Sequence, residues 1–234
     1  ATIIAVSLMF VLMRHNAEMV IRIWFFVVVS LAIGITLNSF LMDLQYSSLI
    51  AILFAIPLAF FKIFKRNIIV HNLTELIIYP GIAAIFVPIL SLWTVVLLLI
   101  FISLYDMYAV WHAGFMQKMA KYQIQKLKVF SGFFVPYVGK KERDILKNTK
   151  SSKMKNKKIK VSVAILGGGD VVFPIILAGV VLRAMGPIQA IIVSIGATLA
   201  LAGLFWLSEK GKFYPAMPFI TAGCFVGLAI AYLV

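Results

Sequence analysis

Two aspartates within apolar stretches are the residues of this 234-residue sequence best placed to do chemistry. The chain has only 8 Asp and Glu residues, and Asp106 and Asp170 are the two that fall deep inside hydrophobic runs. An ionised carboxylate within a membrane costs at least about 2.5–3.5 kcal/mol on insertion scales, so we expect these two residues to have a function. Two neighbouring carboxyl groups in an apolar medium cannot both ionise cheaply and therefore share a proton.

A carboxyl dyad of this kind can hydrolyse an amide. The ionised aspartate takes a proton from water while the protonated one polarises the carbonyl, so the reaction needs neither a metal ion, nor another cofactor, nor a covalent nucleophile. The two carboxylates alone leave other functions open, namely a proton relay in a transporter or channel and a structural role in a non-catalytic membrane scaffold or chaperone. Paired broken helices in an inverted repeat would favour transport, and the sequence contains no convincing internal repeat.

The composition indicates that these aspartates belong to a membrane protein. Hydrophobic residues make up 63% of the chain and charged residues 13%, whereas soluble domains have about 45–50% and about 25%. A helix needs about 20 mostly apolar residues to cross the hydrocarbon core. We therefore predict an all-α, multi-pass bundle with eight spans, at 1–13, 21–42, 47–64, 72–90, 92–113, 161–182, 187–208 and 214–234. The first span is short and opens without a methionine, so we expect one further helix upstream and nine spans in the whole protein.

The basic residues predict the orientation of this bundle. Of 22 Lys and Arg residues, 21 fall in loops on one side of the predicted bundle and only Arg183 falls on the other. By the positive-inside rule, the side rich in Lys and Arg is cytoplasmic. The loop at 114–160 is then cytoplasmic and the C-terminus extracytoplasmic.

The long loop divides the chain into N-terminal membrane helices at 1–113, the basic loop at 114–160 and a C-terminal three-helix part at 161–234. The loop contains 14 basic and 2 acidic residues. In its first part, 114–130, apolar residues recur among lysines at near-helical spacing, which predicts an amphipathic helix on the anionic lipids of the cytoplasmic leaflet. Because topology already accounts for the excess of Lys and Arg, we expect no nucleic-acid partner.

The predicted helices bring the two aspartates to one level. At a rise of ~1.5 Å per residue, Asp106 lies about 11 Å from the end of its helix near Ala113, and Asp170 lies about 14 Å from the start of its helix near Val161. Because the two helices are consecutive and antiparallel, the carboxyl groups can face each other. Glu75, in contrast, is expected near the cytoplasmic entrance of its span, where its side chain can easily reach water.

Distinctive residues directly precede each aspartate: Tyr105 before the first, and Gly167, Gly168 and Gly169 before the second. Glycines allow a second backbone to approach closely and make a helix easy to deform. A packing role would explain them, and so would a need for room where a substrate strand lies beside the carboxyl group.

A proline-containing segment, Pro215-Ala216-Met217-Pro218, opens the last predicted span. Two prolines remove amide donors and disfavour helix, which predicts free backbone groups in this segment. A helical substrate must unwind before its amide is attacked, and its own freed backbone groups then need partners within the membrane. The segment could supply these partners by strand addition, or the prolines could simply mark the start of a helix.

The YD pair in one span, GxGD in the next and the proline–alanine motif opening the last span together resemble the presenilin/signal peptide peptidase family of GxGD intramembrane aspartyl proteases. The resemblance covers nearly the whole chain, including the long loop after the YD helix. It implies endopeptidase activity within transmembrane segments, no cofactor, and single-span membrane proteins or signal-peptide-like segments as substrates. It also implies catalytic roles for Asp106 and Asp170 and active-site support from Tyr105, Gly167, Gly168, Gly169, Pro215, Ala216 and Met217, with Met217 in place of the family's leucine.

The predicted orientation distinguishes the two branches of this family. Presenilins have a cytoplasmic loop between the two catalytic spans, whereas signal peptide peptidases are inverted. The basic loop therefore favours the presenilin sense, while the sequence GDVVFP is at least as similar to the peptidase branch. A compact chain without a large soluble domain fits a microbial presenilin homologue, archaeal or bacterial.

Two further patterns predict packing and not chemistry. Gly223 and Gly227 form a GxxxG motif, which we interpret as close helix packing within the chain, with Cys224 as a small core residue. His71 and the other two histidines map to span edges without metal-ligand spacing, so we predict no metal site.

Overall fold

The computed structural model describes residues 18–65, 67–113, 131–137, 162–207 and 214–233. These residues form seven α-helices: α1 Glu18–Phe40, α2 Ser47–Phe64, α3 Ile68–Phe86, α4 Leu92–Tyr108, α5 Gly169–Ala184, α6 Pro187–Leu207 and α7 Ala216–Ala231. A π-helical turn, Ala109–Ala113, continues α4. Two strands, β1 Gly132–Tyr137 and β2 Ser162–Gly167, pair in an antiparallel sheet.

The helices confirm that the chain is a multi-pass membrane protein. Five of them, α1 to α4 and α6, are long and apolar enough to cross a membrane, and α7 is apolar but shorter. The predicted spans at 21–42, 47–64, 72–90, 92–113, 187–208 and 214–234 each correspond to one helix. The predicted span at 1–13 and the amphipathic helix at 114–130 lie outside the described residues.

The predicted span at 161–182 is wrong in its first part. Residues 162–167 form strand β2, and helix α5 begins only at Gly169. The sequence SVAILG is apolar and partly β-branched, so it suits a strand as well as a helix. Pairing with β1 satisfies the backbone groups along one edge of this segment, which makes a strand possible here. The described residues thus form the predicted bundle of α-helices, to which the pairing of β1 with β2 adds a small two-stranded sheet that we did not predict.

Strand β1 comes from the loop for which we predicted no strand. The register places Gly132 opposite Gly167 and Tyr137 opposite Ser162. The sheet packs against α3, where the ring of Phe133 lies edge-on to the ring of Tyr79 at a centroid distance of 5.4 Å. The tight turn from β2 into α5 places the start of α5 beside this sheet.

Helices α6 and α7 pack closely through glycines. A Cβ added at Gly196 would clash with the carbonyl oxygen of Gly223, and one added at Gly227 would lie 2.9 Å from the Cα of Val193. Cys224 is fully buried. The GxxxG motif therefore serves packing within the chain, as predicted. Helix α7 also contacts α4 and α5, so it lies at the centre of the C-terminal half.

One arginine joins two elements at the end of the bundle opposite to the sheet. Arg183, in the last turn of α5, donates hydrogen bonds to the carbonyl oxygens of Pro88 at 2.8 Å and Leu90 at 2.9 Å. These carbonyls lie between α3 and α4. The arginine thus stabilises the connection between α3 and α4.

Candidate active site

Asp106 lies near the end of α4, on the face that this helix buries. The buried residues Val95, Leu99, Ser103 and Asp106 recur at helical spacing, and the side chain of Asp106 is 8% exposed. Its Oδ2 accepts a hydrogen bond from the backbone N–H of Met217 at 3.1 Å. The backbone N–H of Ala216 is a second donor to the same carboxyl group.

These two donors are the first residues of α7. Pro215 precedes the helix and provides no side-chain cap, although the first turn of a helix has N–H groups without partners within the helix. The carboxyl group of Asp106 takes the place of the missing cap. Pro218 has no N–H to satisfy and is tolerated in a first turn.

The prediction of free backbone groups in this proline-containing segment is therefore wrong. Ala216 and Met217 are helical, buried and bonded to Asp106. The physical reason is that prolines disfavour a helix interior but are compatible with its first turn. The segment supports one carboxyl group of the dyad directly.

A second hydrogen bond joins α4 to α7 one turn away from the carboxyl group. Ser103 Oγ donates to Thr221 Oγ1 at 2.7 Å, and both side chains are buried. Neither residue of this pair was predicted from the sequence. Ser103 lies three residues before Asp106 on the same helix face, and this spacing is the signal that could have indicated it.

Asp170 lies in the first turn of α5 and is partly buried. The depth predicted for it assumed a helix from Val161 and is wrong, because the chain reaches this position as strand β2. The backbone N–H of Gly167 donates a hydrogen bond to its carboxyl group, and the carboxyl group of Asp106 is near enough to interact with it electrostatically. The structure thus brings the two predicted aspartates together, one from each side of the long loop.

The three glycines before Asp170 occupy three different positions and not one helical turn. Gly167 ends β2, Gly168 is the residue before the helix, and Gly169 is the first residue of α5. A Cβ at Gly167 would lie 3.0 Å from Asp170 Oδ2, and one at Gly168 would lie 2.8 Å from Ser131 Oγ. A Cβ at Gly169 would make only an ordinary contact of 3.6 Å with Phe173. Steric room therefore explains the first two glycines and not the third.

Tyr105 lies on a different face of α4 from the aspartate that follows it. Its side chain is 58% exposed, so it lies on the outside of the described bundle. Successive residues of a helix point about 100° apart, which separates the two side chains.

A cavity of about 250 Å³ lies beside Asp170, between α5 and α6. Its lining is mostly apolar, and the polar lining residues are Asp170, Ser194 and Thr198. The two hydroxyl groups donate to the carbonyl oxygens of Ala190 and Ser194, each at 2.8 Å, which leaves their oxygens able to accept. The space is large enough for water and for part of an extended peptide beside the carboxyl group.

Glu75 is buried within the bundle, which contradicts its predicted position at a span entrance. It is 0% exposed, and its Oε1 lies 2.5 Å from Lys62 Nζ on α2 and 3.4 Å from His71 Nε2. The same oxygen accepts a hydrogen bond from the backbone N–H of Gly132 at 3.2 Å. An ion pair and a strand therefore replace the water that we expected around this carboxylate.

Two neighbours of Glu75 on α3 also bind the backbone of β1. His71 Nε2 lies 2.8 Å from the carbonyl oxygen of Gly132. Asn72 accepts from the N–H of Phe134 at 3.0 Å and donates to its carbonyl oxygen at 2.8 Å. We call His71, Asn72 and Glu75 the α3 clamp, because together they occupy four successive outward-facing backbone groups of β1.

The described residues contain no group of three His, Cys, Asp or Glu side chains able to hold a metal ion. A family model described as signal-peptide peptidase, presenilin aspartyl protease matches residues 1–234 of the chain. No curated protein matches the chain. The family match covers the full sequence, including both aspartates, and it decides between peptidase and transporter in favour of the peptidase. The chain belongs to the signal-peptide peptidase and presenilin family of aspartyl proteases and is an intramembrane aspartic endopeptidase.

Proposed function

We propose that this protein hydrolyses peptide bonds within the transmembrane segments of single-span membrane proteins or signal-peptide-like segments, with Asp106 and Asp170 as the catalytic dyad and water as the nucleophile. One observation carries this assignment. The two carboxyl groups interact electrostatically although they come from helices on either side of the long loop, and each accepts hydrogen bonds from backbone N–H groups.

The hydrogen bonds support different roles for the two carboxyl groups. Asp106 accepts two N–H groups at the N-terminus of α7, whereas Asp170 accepts one, from Gly167. Both carboxyl groups lie at a helix N-terminus, so the helix dipole does not distinguish them. Hydrogen bonds stabilise negative charge, so a shared proton resides mainly on Asp170, which accepts fewer of them. Asp106 then accepts the proton of the attacking water, and Asp170 donates its proton toward the oxygen of the scissile carbonyl.

The sheet supports a way to hold the unwound substrate. The α3 clamp occupies the outer edge of β1, so a further strand would add beside β2, whose other edge pairs with no described strand and is called the free edge below. Gly132 pairs with Gly167 and Phe134 with Ile165. Because Gly132 and Phe134 direct their N–H and C=O groups to α3, these are non-hydrogen-bonded pairs, and their partners in β2 point the other way. Both backbone groups of Ile165 and the carbonyl oxygen of Gly167 therefore face the free edge, while the N–H of Gly167 is bonded to Asp170. A substrate strand on that edge would bring an amide bond next to Asp170.

The decisive experiment compares three variants of the purified full chain in proteoliposomes that contain a model single-span substrate. Asp106→Asn and Asp170→Asn each remove the charge while retaining a side chain of similar shape, and we expect neither variant to release cleavage products. Asp43→Asn, in the exposed connection between α1 and α2, is the matched control and should cleave at the wild-type rate. Substantial cleavage by either dyad variant would refute the assignment.

A second experiment tests strand addition. Ile165→Pro removes one N–H from the free edge of β2 and leaves the ladder to β1 intact, because prolines are tolerated at strand edges. We expect a higher KM for this variant and a wild-type KM for Ile165→Val. An unchanged KM in Ile165→Pro would show that the substrate does not pair with β2.

We also infer the presenilin orientation, with eight spans in residues 1–234, the loop at 114–160 in the cytoplasm and the C-terminus outside. The support is the distribution of Lys and Arg, 21 of 22 on one side. The same loop, with 14 basic and 2 acidic residues, would contact anionic lipids and not nucleic acid. This orientation fits a microbial, archaeal or bacterial, homologue of the presenilins.

The only cysteine makes the orientation easy to test. Cys224 is fully buried, so a membrane-impermeant maleimide reports on a single introduced cysteine. In intact cells we expect labelling of Ala184→Cys, at the exposed end of α5, and no labelling of Lys153→Cys until the membrane is permeabilised. The opposite pattern would assign the inverted orientation.

A further inference from the structure

We propose that the α3 clamp fixes the position of the sheet along α3 and thereby the position of Asp170. The three residues of the clamp are then positioning residues, which determine which peptide bond is cut. This inference rests on the proposed role of Asp170 as a member of the dyad. It assigns a role in the reaction to residues that lie on a different helix from either aspartate.

A short chain of contacts connects the clamp to the dyad. Glu75 and His71 hold the N–H and the carbonyl oxygen of Gly132. Gly132 is the register partner of Gly167 in β2. Gly167 in turn donates its N–H to the carboxyl group of Asp170. Since each step involves a backbone group of the sheet, a shift of β1 along α3 would be passed on to Asp170.

The clamp has the hydrogen-bonding pattern of a third strand. It satisfies both backbone groups of Gly132 and both of Phe134, which are alternate residues of β1. If β1 moved along α3 by one residue, the residues opposite the clamp would direct their backbone groups toward β2 and could not bind it. The next position of β1 that can bind the clamp is therefore two residues away, or about 6.6 Å. The sheet can therefore occupy only discrete positions along α3, and the clamp selects one of them.

The clamp is held rigidly by its own surroundings. Glu75 and Lys62 are paired, and their side chains are 1% and 4% exposed. The ring of His71 lies against the ring of Phe134, with the centroids 4.9 Å apart. These contacts restrict the side chains to one arrangement, which is what a residue that defines a register requires.

The test measures where the substrate is cut as well as how fast. In Asn72→Ala both bonds to Phe134 are lost, while alanine is the best helix former and Asn72 is only partly buried, so the helix should be retained. With the purified full chain and a single-span substrate we expect kcat to fall roughly tenfold. We also expect mass spectrometry of the products to show cuts spread over neighbouring bonds.

The matched control is the adjacent residue, Leu73, which is 58% exposed on the outside of the bundle. Leu73→Ala should retain the wild-type rate and the wild-type ratio of products. A residue with only a structural role would change the amount of active enzyme and leave the ratio of products unaltered.

Asn72→Asp provides a second variant, since it keeps the bond from the Phe134 N–H and replaces the other with repulsion of the carbonyl oxygen. We expect it to spread the cuts as Asn72→Ala does. Wild-type product ratios in both Asn72 variants would overturn the inference. Asp170→Asn, assayed in parallel, distinguishes failure of the proposed dyad from failure of the proposed clamp. Cleavage by Asp170→Asn would refute the dyad. If Asp170→Asn is inactive and both Asn72 variants give wild-type products, only the role of the clamp is refuted.

Discussion

The backbone N–H of Met217 donates a hydrogen bond to Asp106 Oδ2 at 3.1 Å, which joins the start of α7 to the end of α4. Carboxylates are stabilised at helix N-termini by unpaired N–H groups and by the helix dipole. Because Pro215 has no capping side chain, a residue more than 100 positions earlier in the chain does this instead. One carboxyl group of the proposed dyad is thus part of a junction between two helices.

The first prediction concerns the N–H of Met217. Met217→Pro removes this donor, whereas Met217→Ala removes the side chain and keeps it. A hydrogen bond to a charged group contributes about 1.5–3 kcal/mol, so we expect the proline variant to cleave substrate about ten- to a hundredfold more slowly than the alanine variant. Steady-state cleavage rates measure the difference, and equal rates would contradict a role for this hydrogen bond. Met217→Leu, which restores the family's residue, should be close to wild type.

The second prediction concerns the buried pair of Ser103 and Thr221. Ser103→Ala and Thr221→Val each leave one buried hydroxyl without its partner, so each should lower the free energy of unfolding by about 1–3 kcal/mol. The double variant should cost less than the sum of the two, because no unpaired hydroxyl is left. Thermal unfolding in detergent measures all three. Strict additivity would mean that the two hydroxyl groups are not coupled.

The third prediction separates two glycines of the motif. A Cβ at Gly167 would press on Asp170 Oδ2 at 3.0 Å, whereas a Cβ at Gly168 would meet the hydroxyl groups of Ser131 at 2.8 Å and Tyr79 at 3.1 Å and would not touch the aspartate. We therefore expect Gly167→Ala to reduce kcat more than Gly168→Ala does, with similar expression of both. The cleavage rate per folded molecule is the relevant measurement, and the reverse order would show that the sheet contact matters more than the carboxyl group.

The fourth prediction concerns the end of the bundle away from the dyad. Arg183 binds two carbonyl oxygens with separate nitrogens, and lysine cannot reproduce this planar fork. Arg183→Lys should lower the free energy of unfolding by about 0.5–1.5 kcal/mol, the value of one hydrogen bond. Cleavage at temperatures well below unfolding should be unchanged. A loss of activity without a loss of stability would mean that the connection between α3 and α4 affects the dyad directly.

The helices, and the two aspartates that the structure brings near each other, were predictable from sequence because their signals are local. Length and hydropathy locate membrane helices. Asp106 and Asp170 are conspicuous because acidic residues in apolar runs are costly. The function of Pro215 was not predictable. A proline at a helix start and a proline in an irregular segment have the same sequence signal, and they are distinguished only by the partner of the N–H groups that follow. Here that partner is Asp106, on another helix.

The sheet and the burial of Glu75 could not be predicted because their partners are distant in sequence. An apolar run of six residues fits strand or helix equally well, and β2 is a strand because β1, separated from it by more than 20 residues, pairs with one of its edges. Glu75 is buried through Lys62 on the preceding helix and Gly132 in β1. No spacing rule connects these residues, so the ordinary expectation for a carboxylate near a helix start was wrong.

The hydrogen bonds of Asp106 to α7 also bear on how the natural substrates can be identified. Capture of substrates requires an enzyme that binds them and does not release products. Replacing Asp106 with alanine would remove the cap of α7 as well as the charge, at a cost of about 0.5–2 kcal/mol to that helix. Asp170 lies in the first turn of its own helix, and the bond that it accepts within the described part of the chain comes from the neighbouring Gly167. Asp170→Asn is therefore the better bait, since the inactive protein keeps the junction between α4 and α7 on which the shape of the binding site depends.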